Sequence, residues 1–172
     1  TKSGHIAVNK QFQTAESSIY ALGDVVGHMA LTPVALAEGM FIADQLFGSG
    51  KRSMSYHNIP TAVFSHPNIA TVGMSEDQAK KEFGQVTVFE SEFRHLKHTL
   101  SGNKARTYMK LIVDTASDKI VGMHMLGDDA GEIIQGFAAA MQAGVTKQQL
   151  DSTIGIHPTA AEEFVTMRTA RK

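Results

Sequence analysis

The 172-residue sequence has no cysteine and no tryptophan. Without cysteine the chain supplies no disulfide, no thiolate metal site and no catalytic thiol. It also lacks an excess of either charge: 16 Lys and Arg stand against 17 Asp and Glu, a net charge of −1. A phosphate-rich surface demands clustered cations, so neither nucleic acid nor an anionic membrane is an expected partner. No apolar run approaches the roughly 20 residues that cross a bilayer. No basic stretch leads into an apolar one, so no secretory signal is expected either. What is present fits a folded soluble protein, with 42% hydrophobic and 19% charged residues. The sequence opens at Thr1 rather than Met, and we expect it to be a piece of something larger.

The first fifty residues differ in character from the rest. Residues 5–8 read as a short strand. Residues 19–22 are continuously apolar, the pattern of a strand buried on both faces, and lead into Gly23-Asp24. Thr32-Pro33 reads as an N-cap followed by proline at the first helical position. The helix that follows has an expected apolar face of Leu36, Met40, Ala43 and Phe47, and Gly48 is its stop. Residues 48–53 are small and polar without periodicity, and a domain boundary is placed there. The two expected domains cover residues 1–50 and 55–172.

Beyond that boundary, strands and helices alternate. Strands are expected at 61–64, 69–72, 86–93, 108–114 and 120–126, the last two joined as a hairpin. Ser75 and Gln78 have capping-box spacing, predicting a helix to Phe83, with Gly84 as its stop. A helix over 131–143 places Ile133, Ile134, Phe137, Ala138 and Met141 on one stripe. Thr146 and Gln149 repeat the capping-box spacing, and a last helix follows Pro158. The expected class is α+β, an antiparallel sheet with helices on one face.

Three groups of residues invite a chemical reading. Asp24 after an apolar strand, with a helix N-terminus at Leu31-Thr32-Pro33, offers a carboxylate for a sugar-like hydroxyl and amides for an electron-rich group. The same residues also read as an ordinary turn before a capped helix. His157 precedes Pro158, which restricts its backbone, and Glu162 stands five residues on. A carboxylate there orients one ring nitrogen and suits acid–base chemistry. Equally, Thr159 and Glu162 have capping-box spacing, leaving His157 a plain loop residue. The eight histidines, His95 and His98 among them, lack metal-ligand spacing and read as scattered surface residues, so no metal is expected. The nine methionines read as core filler.

Taken together, four motifs resemble the C-terminal part of the glutathione reductases, within the FAD-dependent pyridine-nucleotide disulfide oxidoreductases. They are residues 19–24, Leu31-Thr32-Pro33-Val34-Ala35, residues 59–67 and residues 157–168, and the resemblance spans essentially the whole chain. It implies that Asp24 binds the ribityl–phosphate region of FAD and that Leu31, Thr32 and Pro33 lie near the flavin ring. His157 would be the acid–base residue, held by Glu162 and acting on the partner subunit's flavin and thiols, with a cis bond to Pro158. Glu163 and the segment 93–100, including Leu96, would border the disulfide substrate. Residues 1–50 would be the end of a FAD-binding domain and 55–172 a dimerisation domain.

The implied activity is NADPH-dependent reduction of glutathione disulfide by a cytoplasmic homodimer. Many of the relatives carry Arg where this chain has Met40, and a thioether cannot replace a forked cation on a carboxylate. A modified glutathione, trypanothione or lipoamide therefore stands as an alternative substrate. The dinucleotide motif and the redox cysteines are absent, so the chain by itself is expected to be inactive and to retain little or no FAD. A free-standing dimerisation module is the alternative from another class.

Overall fold

The structure, a computed structural model, describes residues 2–172. The chain divides into two compact units, Thr1–Tyr56 and His57–Lys172.

The first unit is built around one long helix. Residues 5–8 form no strand; Ile6 makes a single backbone bond, its N–H donating to the Val25 carbonyl at 2.8 Å. The expected buried strand at 19–22 is also absent. Tyr20 makes one isolated bridge to Gln13, while Ile19 is 53% exposed. A strand buried on both faces needs a ladder on its edges and cover on both sides, and the described residues of this unit provide neither. Residues Gly23–Val26 instead form one 3-10 turn, so Asp24 sits in a turn and not at a strand's carboxyl end.

Helix α1 runs over Thr32–Phe47. Leu31 is its N-cap, with extended backbone and no side-chain cap, and Thr32 is already inside the helix. Proline in the first turn costs nothing, because that amide has no intrahelical acceptor. The expected apolar face points the wrong way: Leu36, Met40, Ala43 and Phe47 are exposed, while Val34, Glu38 and Ile42 are buried. Glu38 decides the orientation, because hydrogen bonds draw it inward. Phe12, also buried, packs edge-on to Phe41 with ring centres 5.7 Å apart.

The second unit is an α+β domain with a five-stranded antiparallel sheet in the order β1-β2-β5-β4-β3. The strands are β1 (Thr61–Val63), β2 (Ile69–Gly73), β3 (Val86–Phe93), β4 (Thr107–Asp114) and β5 (Ile120–Leu126). Strands β4 and β5 form a hairpin whose turn is held by Asp114, its carboxylate accepting the Ala116 and Ser117 amides. Alternate residues of the central strands, including Ala70, Val72, Met109, Leu111, Met123 and Met125, line one face of the core.

Helices α4 (Ala130–Gln142), α5 (Lys147–Ser152) and α6 (Glu163–Thr166) cover that face through Ile134, Ala138, Met141, Leu150 and Phe164. The Phe164 ring meets Phe137 edge-on at 4.9 Å. Both expected capping boxes form, Ser75 with Gln78 and Thr146 with Gln149. Helix α2 (Glu76–Phe83) is the exception to one-sided packing, lying on the opposite face over Val88 and Ile112. Its Glu76 pairs with Lys110 at 2.6 Å, and Glu90 of β3 lies 3.4 Å from the same ammonium.

Candidate active site

The segment from Gly155 to Arg168 is shaped by a cis bond between His157 and Pro158. The turn that follows is closed by Thr159, whose hydroxyl donates to the Ile156 carbonyl at 2.7 Å and accepts the Glu162 amide at 3.3 Å. Regular helix begins only at Glu163, later than the expected start after Pro158, and Thr159 is not its N-cap. Phe164 and Val165 are buried and seat α6 on the sheet. Arg168 fastens the far end, its guanidinium donating to the Asp151 carboxylate at 2.5 Å and to the Val165 carbonyl at 2.6 Å.

On this frame Glu162 Oε2 lies 3.0 Å from His157 Nδ1. The capping-box alternative is thus half realised: the hydroxyl takes the Glu162 amide, while the carboxylate turns to the imidazole. Gly155 makes room for that choice, since a Cβ there would lie 2.7 Å from Glu162 Cγ. The His157 side chain is 76% exposed, and its Nε2 has no partner among the described residues. Ile154 and Ile156, beside it, are exposed apolar side chains. An imidazole oriented through Nδ1, with Nε2 outward, can give or take a proton at a group brought to it. Glu163 is adjacent and half-buried.

The remaining candidates lie elsewhere. Leu96 is 58% exposed, immediately before a short helix α3 (Lys97–Ser101) that local pattern did not predict. In the other unit, Asp24, Thr32 and Pro33 are exposed and Leu31 half-buried, with the Asp24 turn packed on α1. Met40 is 52% exposed on the outer side of α1. An exposed carboxylate that can accept from hydroxyls, next to a helix N-terminus whose amides can donate to a polar ring edge, fits the two ends of a flavin.

His95 and His98 correct the surface reading. Both are buried, their rings stacked 5.5 Å apart, with Phe93 stacked on His95 at the same spacing. His95 Nε2 lies 2.6 Å from the Thr107 hydroxyl. Burial first, then the nearby Lys97 cation, holds His95 below the usual histidine range. The signal for this stack was Phe93 at i−2 and His98 at i+3, too short a pattern to read as burial. Glu38, with Tyr56 and His28, was also missed; a lone acid at i+4 from Val34 and i−4 from Ile42 was its only sign. Among the described residues no group of three or more His, Asp or Glu is placed to hold a metal ion.

Residues 59–168 match the family model "Pyridine nucleotide-disulphide oxidoreductase, dimerisation domain". The chain belongs to this family. It is 50% identical over 165 residues to a glutathione reductase of a Nostoc species, covering 95% of this chain and 36% of that protein. It is 51% identical over 168 residues to the chloroplastic/mitochondrial glutathione reductase of Pisum sativum, covering 98% and 30%. Against the glutathione reductase of Burkholderia cepacia it is 45% identical over 170 residues, covering 99% and 38%. The chain thus spans 30–38% of the length of these three relatives. Among solved structures it is similar to the HOCl-induced flavoprotein disulfide reductase RclA from Escherichia coli, with a TM-score of 0.86 at 30% identity. That match covers 97% of this chain and 39% of the other.

Proposed function

We propose that this disulfide oxidoreductase chain is the C-terminal part of an NADPH-dependent glutathione reductase, in which it supplies an acid–base histidine to the partner subunit's site. The observation that carries the reading is the His157–Glu162 pair on its cis-proline turn, in a chain 45–51% identical to three glutathione reductases. Residues 1–50 are then the end of a FAD-binding domain and 55–172 the dimerisation domain. When bound, FAD supplies the passage of electrons from NADPH to an active-site disulfide.

In this reading Asp24 binds the ribityl–phosphate region and Leu31, Thr32 and Pro33 border the ring. Glu162 holds the imidazole through Nδ1, and His157 Nε2 delivers a proton to the thiolate that leaves the substrate disulfide. Leu96, Glu163 and Met40 contact the substrate. The enzyme is a cytoplasmic homodimer, and no described helix is long and apolar enough to cross a membrane. The chain alone, with no cysteine, supplies no redox dithiol and has no reductase activity of its own.

Steady-state kinetics of the full-length enzyme tests the substrate. Brisk turnover of glutathione disulfide supports the reading. Negligible turnover beside brisk reduction of an amidated analogue, in keeping with Met40 in place of a cation, assigns the less anionic substrate instead. No disulfide reduction at all, from a dimer without flavin absorbance, leaves a dimerisation module.

A further inference from the structure

Glu38 is completely buried in α1. A lone carboxylate is not tolerated in an apolar interior, so its partners must account for it. Oε2 accepts the Gly23 N–H at 2.6 Å. Oε1 accepts the Tyr56 hydroxyl at 2.5 Å and lies 3.1 Å from His28 Nδ1. The Tyr56 oxygen is itself 2.9 Å from that nitrogen. Burial alone would raise this carboxyl, but the bonds from Tyr56, Gly23 and His28 together hold it below the usual range.

The three partners come from three stretches of chain: the turn before α1, the loop leading into it and the end of the unit. Gly23 is pressed on α1 as well as bonded to it. Its φ is +70° and a Cβ there would stand 3.1 Å from Ala35 Cβ, so the backbone approaches where only glycine fits easily. Asp24 is the next residue. Its own carboxylate is exposed and has no partner among the described residues. The direction in which Asp24 points is therefore set by the Gly23 backbone, and that backbone is held by Glu38.

We infer that Glu38 is a positioning residue for the flavin site, holding Asp24 and the first turn of α1 in one frame. The inference rests on the reading of Asp24, Leu31, Thr32 and Pro33 as flavin-binding. A carboxylate suits this task because each oxygen accepts separately, so one side chain bridges two elements. Alanine leaves the buried Gly23 amide unpaired. Glutamine keeps one acceptor for Gly23 and turns its amide to the Tyr56 oxygen, which has a lone pair to offer.

Two measurements test it. In this chain, Glu38→Ala is expected to speed amide hydrogen exchange at Gly23 about tenfold or more, with β4 and β5 amides unchanged and Glu38→Gln restoring most of the protection. In the full-length holoenzyme, Glu38→Ala is expected to weaken FAD about tenfold and to alter the bound-flavin absorption, the glutamine variant returning both. Unchanged Gly23 exchange overturns the inference. So does faster exchange with FAD affinity and spectrum unaltered, which would leave Glu38 a purely structural residue. If the alanine variant does not fold, Tyr56→Phe retains the ring and removes one donor. A several-fold rise in Gly23 exchange with weaker FAD then supports the inference, and wild-type values overturn it. The underlying flavin reading fails separately, when Asp24→Ala holoenzyme keeps wild-type FAD affinity whatever happens at Gly23.

Discussion

His157 Nδ1 and Glu162 Oε2 lie 3.0 Å apart, the carboxylate reaching back across the turn that Thr159 closes. The imidazole is largely exposed, and exposed ion pairs contribute only about 0–1 kcal/mol to stability. What the contact does is fix the ring. It commits Nδ1 to the carboxylate and leaves Nε2 as the outward nitrogen, which a rotating side chain would not guarantee.

Under the function proposed above, that division of labour predicts a split between half-reactions in the full-length enzyme. His157→Ala should slow thiol–disulfide exchange with substrate by about 10²–10⁴-fold, the usual range for losing a general acid, while flavin reduction by NADPH stays near wild type. Glu162→Gln should fall between the two, because the amide still reaches the ring without its charge. Rapid-mixing spectroscopy of each half-reaction separates them. Equal losses in both halves would contradict the assigned role.

Glu76 carries a different prediction, about stability. Its carboxylate meets Lys80 and Lys110 at 2.6 Å each and Arg171 at 2.5 Å, tying the C-terminal tail to α2 and β4. The Lys110, Lys80 and Arg171 donors push its pKa down to about 2. A carboxyl depressed in the fold stabilises above its unfolded value, near 4.5, and that contribution is lost as pH falls toward 2. Glu76→Gln should lower Tm at pH 7 by roughly 2–5 °C. The gap between variant and wild type should then close progressively below about pH 4.5. A gap that stays constant with pH would show that the charge is not responsible.

Two glycines that look alike in sequence should respond in opposite ways to alanine. At Gly122 in β5 a Cβ would lie 2.2 Å from the Met74 carbonyl oxygen, a clash with backbone that cannot move aside cheaply. At Gly136, exposed in α4, a Cβ meets nothing within 4 Å. Gly122→Ala should destabilise by about 2 kcal/mol or more, whereas Gly136→Ala should stabilise by about 0.5–1 kcal/mol. Urea unfolding of the two variants checks both signs at once.

Which features were legible in the sequence follows from how local their causes are. The capping boxes at Ser75 and Thr146, the turn after Asp114 and the stripe on α4 depend on residues within a turn or two, and each forms as its pattern predicts. The inward face of α1 is not legible in the sequence, because Glu38 is drawn in by Gly23, 15 residues behind, and Tyr56, 18 ahead. No periodicity contains that information. The burial of His95 and His98 is hidden for the same reason, since it depends on Thr107 and Asp128 across the fold. At the candidate site, Thr159 and His157 both lie within reach of Glu162, so spacing left the partner open, and the turn geometry selects the histidine.

His124 offers a test of how this domain responds to mild acid. It sits on β5, with Nδ1 2.6 Å from the Thr71 hydroxyl and Nε2 3.1 Å from the Met74 carbonyl. The carbonyl can only accept, so Nε2 carries the hydrogen, and Nδ1 accepts from the hydroxyl: the neutral ring is fully satisfied. Burial holds its pKa below the usual histidine value despite the Met74 bond, and Lys110, paired with it across the sheet, pushes the same way. For a base depressed in the fold, the unfolded chain binds the proton more readily, so stability is present above about pH 6.5 and declines as pH falls below it. His124→Gln keeps a donor and an acceptor without a titrating group. It should lose stability at pH 7.5 but less so at pH 5.5, where the wild-type ring meets a proton. Parallel urea titrations at the two pH values measure the difference, and NMR of the ring protons reports the titration directly. A ring that titrates above pH 6.5, or a variant whose deficit grows on acidification, would contradict the assignment.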